Sequence, residues 1–317
     1  MNRRWIACLV VLVPVSLGAQ SPAPVQAAIP GVIAANARIE LVMSGFRALE
    51  GPLALPDGGV YFNDTNASRT YRVAPSGVVS LAFEHTNGTN GMAWMADGRL
   101  LRTERDGRRV AAVAPNGETT PVATSYHGRP FLGPNDLIPD AKGGIYFTDQ
   151  SPLPGPGQLP PVSGAIYYMR PDGETILIDD GMLLPNGITL SLDGKTLYAA
   201  DTEDVPVFAY DVQPDGSVAH KRPFVNLQDP KPYARGTRTL SDGIAIDSEG
   251  RLYVSIPAGV EVVDASGRSL GVIRIPGATA IRNLAFAGPQ HRTLYVLDRN
   301  AVYRVDMLSR SPINRSK

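Results

Sequence analysis

Cysteine is all but absent: the only one, Cys8, lies in an N-terminal apolar segment, so no thiol follows it. Disulfide staples, thiolate metal sites and cysteine nucleophiles are thereby excluded from the folded domain. An excess of either charge is also missing. Lys plus Arg and Asp plus Glu number 30 each and no basic run occurs, so the phosphate attraction on which nucleic-acid binders rely is lacking and nucleic acid is not expected as a partner. Histidine is scarce, and none of the four (His85, His127, His220, His291) has metal-ligand spacing to another. They read as loop or turn residues, with His85 and His127 as alternative substrate contacts. No Gly-x-Ser-x-Gly elbow is present, which leaves an α/β-hydrolase triad without support.

What is present points to a turn-rich β protein, with 43% apolar residues, 19% charged residues, 32 glycines and 28 prolines. Arg3 and Arg4 precede an apolar stretch, Trp5 to Leu17, that ends at the small residues Gly18 and Ala19. This pattern predicts a signal peptide over 1–19 and a periplasmic or secreted protein with no membrane association after cleavage. The stretch is too short to span a bilayer comfortably, and no second apolar run of about 18 residues follows. Residues 20–35, rich in Pro and Ala, read as a flexible lead-in, and 36–310 as one domain.

That domain repeats. EGPLALPDGGVYF from Glu50, NGMAWMADGRLL from Asn90, NDLIPDAKGGIYF from Asn135, NGITLSLDGKTLY from Asn186, DGIAIDSEGRLYV from Asp242 and NLAFAGPQHRTLYV from Asn283 share one pattern. Each starts on an oxygen-bearing side chain, alternates apolar residues and turns. A second apolar stretch then begins ten or eleven residues after the start. Starts spaced roughly 40–56 residues apart leave room for four short strands, the period of a propeller blade. The expected fold is an all-β, six-bladed β-propeller, with the strand-like ARIELV at Ala37–Val42 completing the last blade and closing the ring.

In a propeller, residues at equivalent register encircle the channel. Here that ring is Glu50, Asn90, Asn135, Asn186, Asp242 and Asn283. Two buried carboxylates repel each other, and a cation offsets both. Oxygen donors favour calcium, magnesium or manganese over zinc. Asn-Gly and Asp-Gly are common turn formers, but separate turn signals (Asp57-Gly58, Asp97-Gly98, Asp193-Gly194, Glu249-Gly250) already occupy the hairpins. Asn90 and Asn283 read either as ligands or as groups that cap a strand or bond a neighbour.

Glu50-Gly-Pro, Pro134-Asn135-Asp136, Pro185-Asn186-Gly187 and Ser241-Asp242-Gly243, in this order over the whole domain, resemble the motif series of the senescence-marker-protein/gluconolactonase family. IYFTD and TLYAADT after the second and third motifs strengthen the likeness. The resemblance implies a six-bladed propeller with a catalytic divalent cation, calcium first, ligated at Glu50, Asn135, Asn186 and Asp242. It also implies hydrolysis of lactones or related esters, with Asp242 as base or nucleophile. Physical chemistry offers a matching route, in which a cation polarises the carbonyl while a water, deprotonated by Asp242 or by the cation, attacks.

The chain departs from the family where Phe131, Leu132 and Gly133 precede Asn135, making the mouth apolar with Arg129 the nearest charge. Asn90, Asn135, Arg129 and Tyr233 are the expected substrate contacts. Long connections at Ser151–Gly164 and Asp229–Thr239 add Arg235 and Arg238 as candidates. The expected partner is a small lactone or ester, and the oligomeric state is open. Two rival functions use the same ring: a phosphotriesterase-like hydrolase, and a noncatalytic ligand-binding propeller with a structural cation.

Overall fold

The computed structural model describes residues 26–151, 164–233, 236–312 and 317. The signal segment 1–19, the beginning of the lead-in, Arg235 and nearly all of the Pro-rich 151–164 connection lie outside the described residues.

Six four-stranded antiparallel sheets form the blades of a propeller, and two short hairpins accompany them. Among the described residues there is no α-helix, only two 3-10 turns at Thr65–Ala67 and Pro289–His291. The innermost strands of blades 1 to 6 are Leu49–Ala54, Thr89–Trp94, Pro134–Pro139, Pro185–Leu190, Ile244–Ile246 and Ile281–Ala287. Blade 6 takes its outermost strand from the N-terminal side: Ile39–Ser44 pairs antiparallel with Ala301–Asp306, and Glu40 accepts two hydrogen bonds from Arg304. Closing the ring in this way covers the edge of Ala301–Asp306 and joins the two ends of the domain in one blade.

Each interface between neighbouring blades has its own apolar cluster. Leu53, Met92 and Leu100 join blades 1 and 2, the thinnest interface, while Leu137, Ile145 and Phe147 of blade 3 pack on Leu101 and Val110 of blade 2. Equivalent clusters join blades 3 to 4, 4 to 5, 5 to 6 and 6 to 1. Burying one such aliphatic side chain contributes about 1.5–3 kcal/mol, so stability is spread around the ring.

The lead-in differs from its expected flexibility over the part described. Ile29, Val32 and Ile33 are buried against Val260, Val262 and Leu284 of blades 5 and 6. The Gln26 carboxamide oxygen accepts from Arg274 N at 3.0 Å, and Arg251 Nη2 donates to the Gly31 carbonyl. Three well-spaced apolar side chains suffice to hold a segment whose composition suggested none.

The inner strands crowd at their first residues. A Cβ on Gly187 of blade 4 would lie 2.3 Å from the Asp242 carbonyl oxygen of blade 5, and one on Gly51 of blade 1 would lie 1.8 Å from the Asn90 carbonyl oxygen of blade 2. These are backbone approaches that cannot be relieved by rotating a side chain. Gly187→Ala is therefore expected to destabilise the fold by about 2 kcal/mol or more, measured as a fall in Tm by circular dichroism. An unchanged Tm would show that the blades can separate freely at the axis.

Candidate active site

The register expectation holds with one refinement. Five of the six ring residues lie within an inner strand, not before it, and only Asp242 precedes its strand. The pairing register shifts at this point in blades 1, 2, 3, 4 and 6. A bulge adds a residue to one strand and re-aims its side chain, which is how a strand that otherwise alternates can direct a polar group at the axis.

Two sets of side chains hold this register. Asn63 Nδ2 donates to the Asn90 carbonyl at 2.8 Å, Thr103 Oγ1 to that of Asn135 at 2.6 Å, and Thr148 Oγ1 to that of Asn186 at 2.9 Å. In each case a second-strand residue of one blade grips the ring residue of the next. In addition, Asp64, Asp149, Asp201 and Asp298 at the ends of second strands each accept two backbone N–H groups from the loop entering their own blade. Burial pushes Asp149 up to about 6 even though the Leu132 and Gly133 amides pull the other way.

Five of the ring residues, Asn90, Asn135, Asn186, Asp242 and Asn283, are between 1% and 7% exposed, and Glu50 is half-buried. Burial, followed by the charge of Asp242, raises Glu50 well above the carboxylate range. Burial likewise raises Asp242, although Arg282 beside it works in the opposite direction. Three oxygens in this dry space, Asn90 Oδ1, Asn186 Oδ1 and Asp242 Oδ1, have no hydrogen-bond partner. An unpartnered buried oxygen costs about 1–3 kcal/mol. These three, with the Glu50 carboxylate beside Asp242, have the chemistry of a set of donors for a hard cation. Among the described residues no group of three or more His, Cys, Asp or Glu gathers, so carboxamide oxygens would have to complete such a set.

Asn283, for which two roles were open, takes the second: its Nδ2 donates to Glu50 Oε2 at 3.3 Å and its Oδ1 accepts from Leu284 N. It orients Glu50. Arg129 is exposed in the Ser125–Pro130 hairpin, where Tyr126 pairs with it through the backbone. The charge set against the ring is instead Arg282, whose Nη1 is 3.3 Å from Asp242 Oδ2. Sequence reasoning missed it, yet a signal exists. The residues just before the ring are Leu49, Thr89, Pro134, Pro185, Ser241 and Arg282, and only the last is charged. Arg238 forms an ion pair with buried Glu203 and so ties the Lys231–Arg238 hairpin to blade 4. Tyr233 closes that hairpin opposite Gly236; its side chain lies outside the described residues. His85 and His127 are exposed loop residues.

Comparison with known proteins identifies the family. Residues 49–299, which include the entire ring, match the SMP-30/Gluconolactonase/LRE-like region. A gluconolactonase of Zymomonas mobilis is 27% identical over 290 residues, covering 84% of this chain and 80% of its own length. A pentonolactonase of Haloferax volcanii is 27% identical over 262 residues, covering 81% and 83%. The solved structure of a gluconolactonase from Xanthomonas campestris matches with a TM-score of 0.76 at 25% identity, covering 91% of this chain and 96% of that one. The chain belongs to the SMP-30/gluconolactonase/LRE-like family.

Proposed function

We propose that this protein is a divalent-cation-dependent lactonase, with Glu50, Asn135, Asn186 and Asp242 holding the cation, calcium first among the candidates. The observation that carries the reading is the pair of buried, unpartnered oxygens Asn186 Oδ1 and Asp242 Oδ1 beside a Glu50 raised by burial. Relatives named gluconolactonase and pentonolactonase, aligned over most of the chain, support a lactone as the substrate.

When bound, the cation would supply a Lewis acid toward the lactone carbonyl. The chain's own residues do the rest. Asn283 fixes Glu50 through its carboxamide N–H. Asp242 takes a proton from the attacking water and returns it to the ring oxygen as the acyl–oxygen bond breaks. The Asn90 carboxamide, unpaired at Oδ1, and that of Asn135 offer hydrogen bonds to substrate hydroxyls. The buried channel limits access of bulk water, which strengthens each of these polar contacts.

The test is hydrolysis of a panel of sugar lactones, aliphatic lactones and aryl esters by the purified protein, with calcium, magnesium or manganese and with chelator. Turnover is expected with a cation and not with chelator. Asp242→Asn should lower kcat by roughly 10²–10⁴-fold, and Glu50→Gln should weaken cation binding. Full activity in chelator, or in Asp242→Asn, would refute the scheme.

The carboxylate pair also makes a prediction for the cation-free protein. Both groups are raised in the folded state, so the native protein holds protons that the unfolded chain, with carboxylates near about 4, has already released. Stability in chelator should therefore be greatest at the acid end of this window and fall as pH rises from about 4 toward neutrality. Glu50→Gln removes the more strongly raised group and should flatten the slope of Tm against pH. An equal slope in the variant would mean that the pair does not carry this penalty.

A further inference from the structure

Arg282 has no part in holding the cation, yet the fold goes to some length to place it. It is the residue at which blade 6 slips register against its second strand, between Ile281 and Asn283. Its carbonyl accepts from Gly243 N at 2.8 Å and from Ser255 Oγ at 2.7 Å, so blade 5 fixes its backbone. The side chain is 31% exposed, against 3% for Asp242. One Nη of the guanidinium thus meets a buried carboxylate while the side chain as a whole stays partly exposed. Of its five N–H groups, one makes the 3.3 Å contact with Asp242 Oδ2, which among the described residues is its only hydrogen-bond partner.

A counter-charge for Asp242 alone would not need this fork or this exposure. Opening a lactone converts a neutral ring into an anion. The water oxygen bonds to the carbonyl carbon and the bond to the ring oxygen breaks. One water proton ends on the new hydroxyl, the other is released, and a carboxylate remains. That carboxylate forms beside two others, Glu50 and Asp242. A planar guanidinium can hold a carboxylate through two parallel hydrogen bonds, which a point charge cannot do as well.

We propose that Arg282 is the anion clamp of this site: its free N–H edge binds the carboxylate of the hydroxy acid formed on ring opening, and the negative oxygen that precedes it. The proposal rests on the lactonase reading for its substrate class, but its test does not depend on turnover.

Binding of sodium gluconate and sodium 4-hydroxybutyrate to the calcium-loaded protein would be measured by calorimetry, together with calcium affinity, for the native protein, Arg282→Gln and Arg282→Lys. Arg282→Gln is expected to weaken hydroxycarboxylate binding roughly ten- to hundredfold while tightening calcium severalfold, because a positive charge next to Asp242 is gone. Arg282→Lys should keep the calcium affinity near native and recover only part of the anion binding. Opposite movement of the two affinities is something a merely damaged site would not give. Unchanged anion affinity in Arg282→Gln, loss of both affinities together, or no hydroxycarboxylate binding by the native protein would each overturn the proposal. Absence of lactone turnover alongside intact, Arg282-dependent anion binding would instead refute the lactonase reading and leave the clamp standing.

Discussion

Crowding at the axis is the constraint on which the rest of this structure depends. Six inner strands begin around one channel, and the backbone of one blade comes so near the next that Gly51, Gly91, Gly187 and Gly243 have no room for a Cβ. Strands packed this closely leave little space for water, so whatever side chains they present at their first residues are taken out of solvent together. Carboxamides tolerate this at the cost of a few missing hydrogen bonds. Carboxylates do not, and the raised Glu50 and Asp242 are the electrostatic consequence of the packing.

The same crowding calls for a second layer that fixes direction. Blade 3 carries Asp136 where blades 1, 2, 4 and 5 carry glycine; its Oδ2 accepts from Ile188 N and its Oδ1 from Leu137 N. Second-strand hydroxyls and an amide tie the ring residues of blades 2, 3 and 4 to the preceding blade, and the aspartates at four strand ends tie down the incoming loops. A ring residue is therefore held from both sides through its backbone, and its side chain remains free for chemistry. Positions held in this manner can be precise although they lie at strand starts, where a strand is ordinarily least constrained.

Much of this was legible in the sequence, because a propeller writes its architecture as a period. The constant offset from the polar residue to the second apolar stretch located every hairpin, and the six polar residues were recognisable as a ring by register alone. What was not legible depended on which atom faces which neighbour. Asn283 has the same side chain as Asn186, but its amide nitrogen meets Glu50 while the Asn186 oxygen is left unpaired; a residue name cannot distinguish a donor from a ligand. Arg282 was lost because the repeat was aligned from Asn283 onward, one residue too late. Arg129 was suggested by its nearness to the Asn135 motif and Arg238 by loop length; the first is exposed on its hairpin and the second pairs with Glu203, neither of which a residue's position in the sequence reveals. The packing of Ile29, Val32 and Ile33 could not be read from a segment whose composition is dominated by Pro and Ala.

Charge balance connects these pieces. With both ring carboxylates ionised, as a bound cation would require, Glu50, Asp242 and Asp136 would together carry three negative charges. Arg282 lies against Asp242, and the Lys317 ammonium reaches Asp136 Oδ2, so the protein's own cations leave one negative charge uncompensated. A divalent cation would turn that deficit into a single positive charge. A monovalent ion would only neutralise the site and a trivalent one would overcharge it. One net positive charge suits a reaction that begins with a neutral ring and ends with one carboxylate: the site has little hold on the substrate's charge, because there is none, and gains attraction only as the anion develops. Binding that strengthens along the reaction in this way is what lowers a barrier, whereas equal attraction throughout would not. Arg282, fixed by the blade 5–blade 6 backbone, and a cation held at the ring would divide that work.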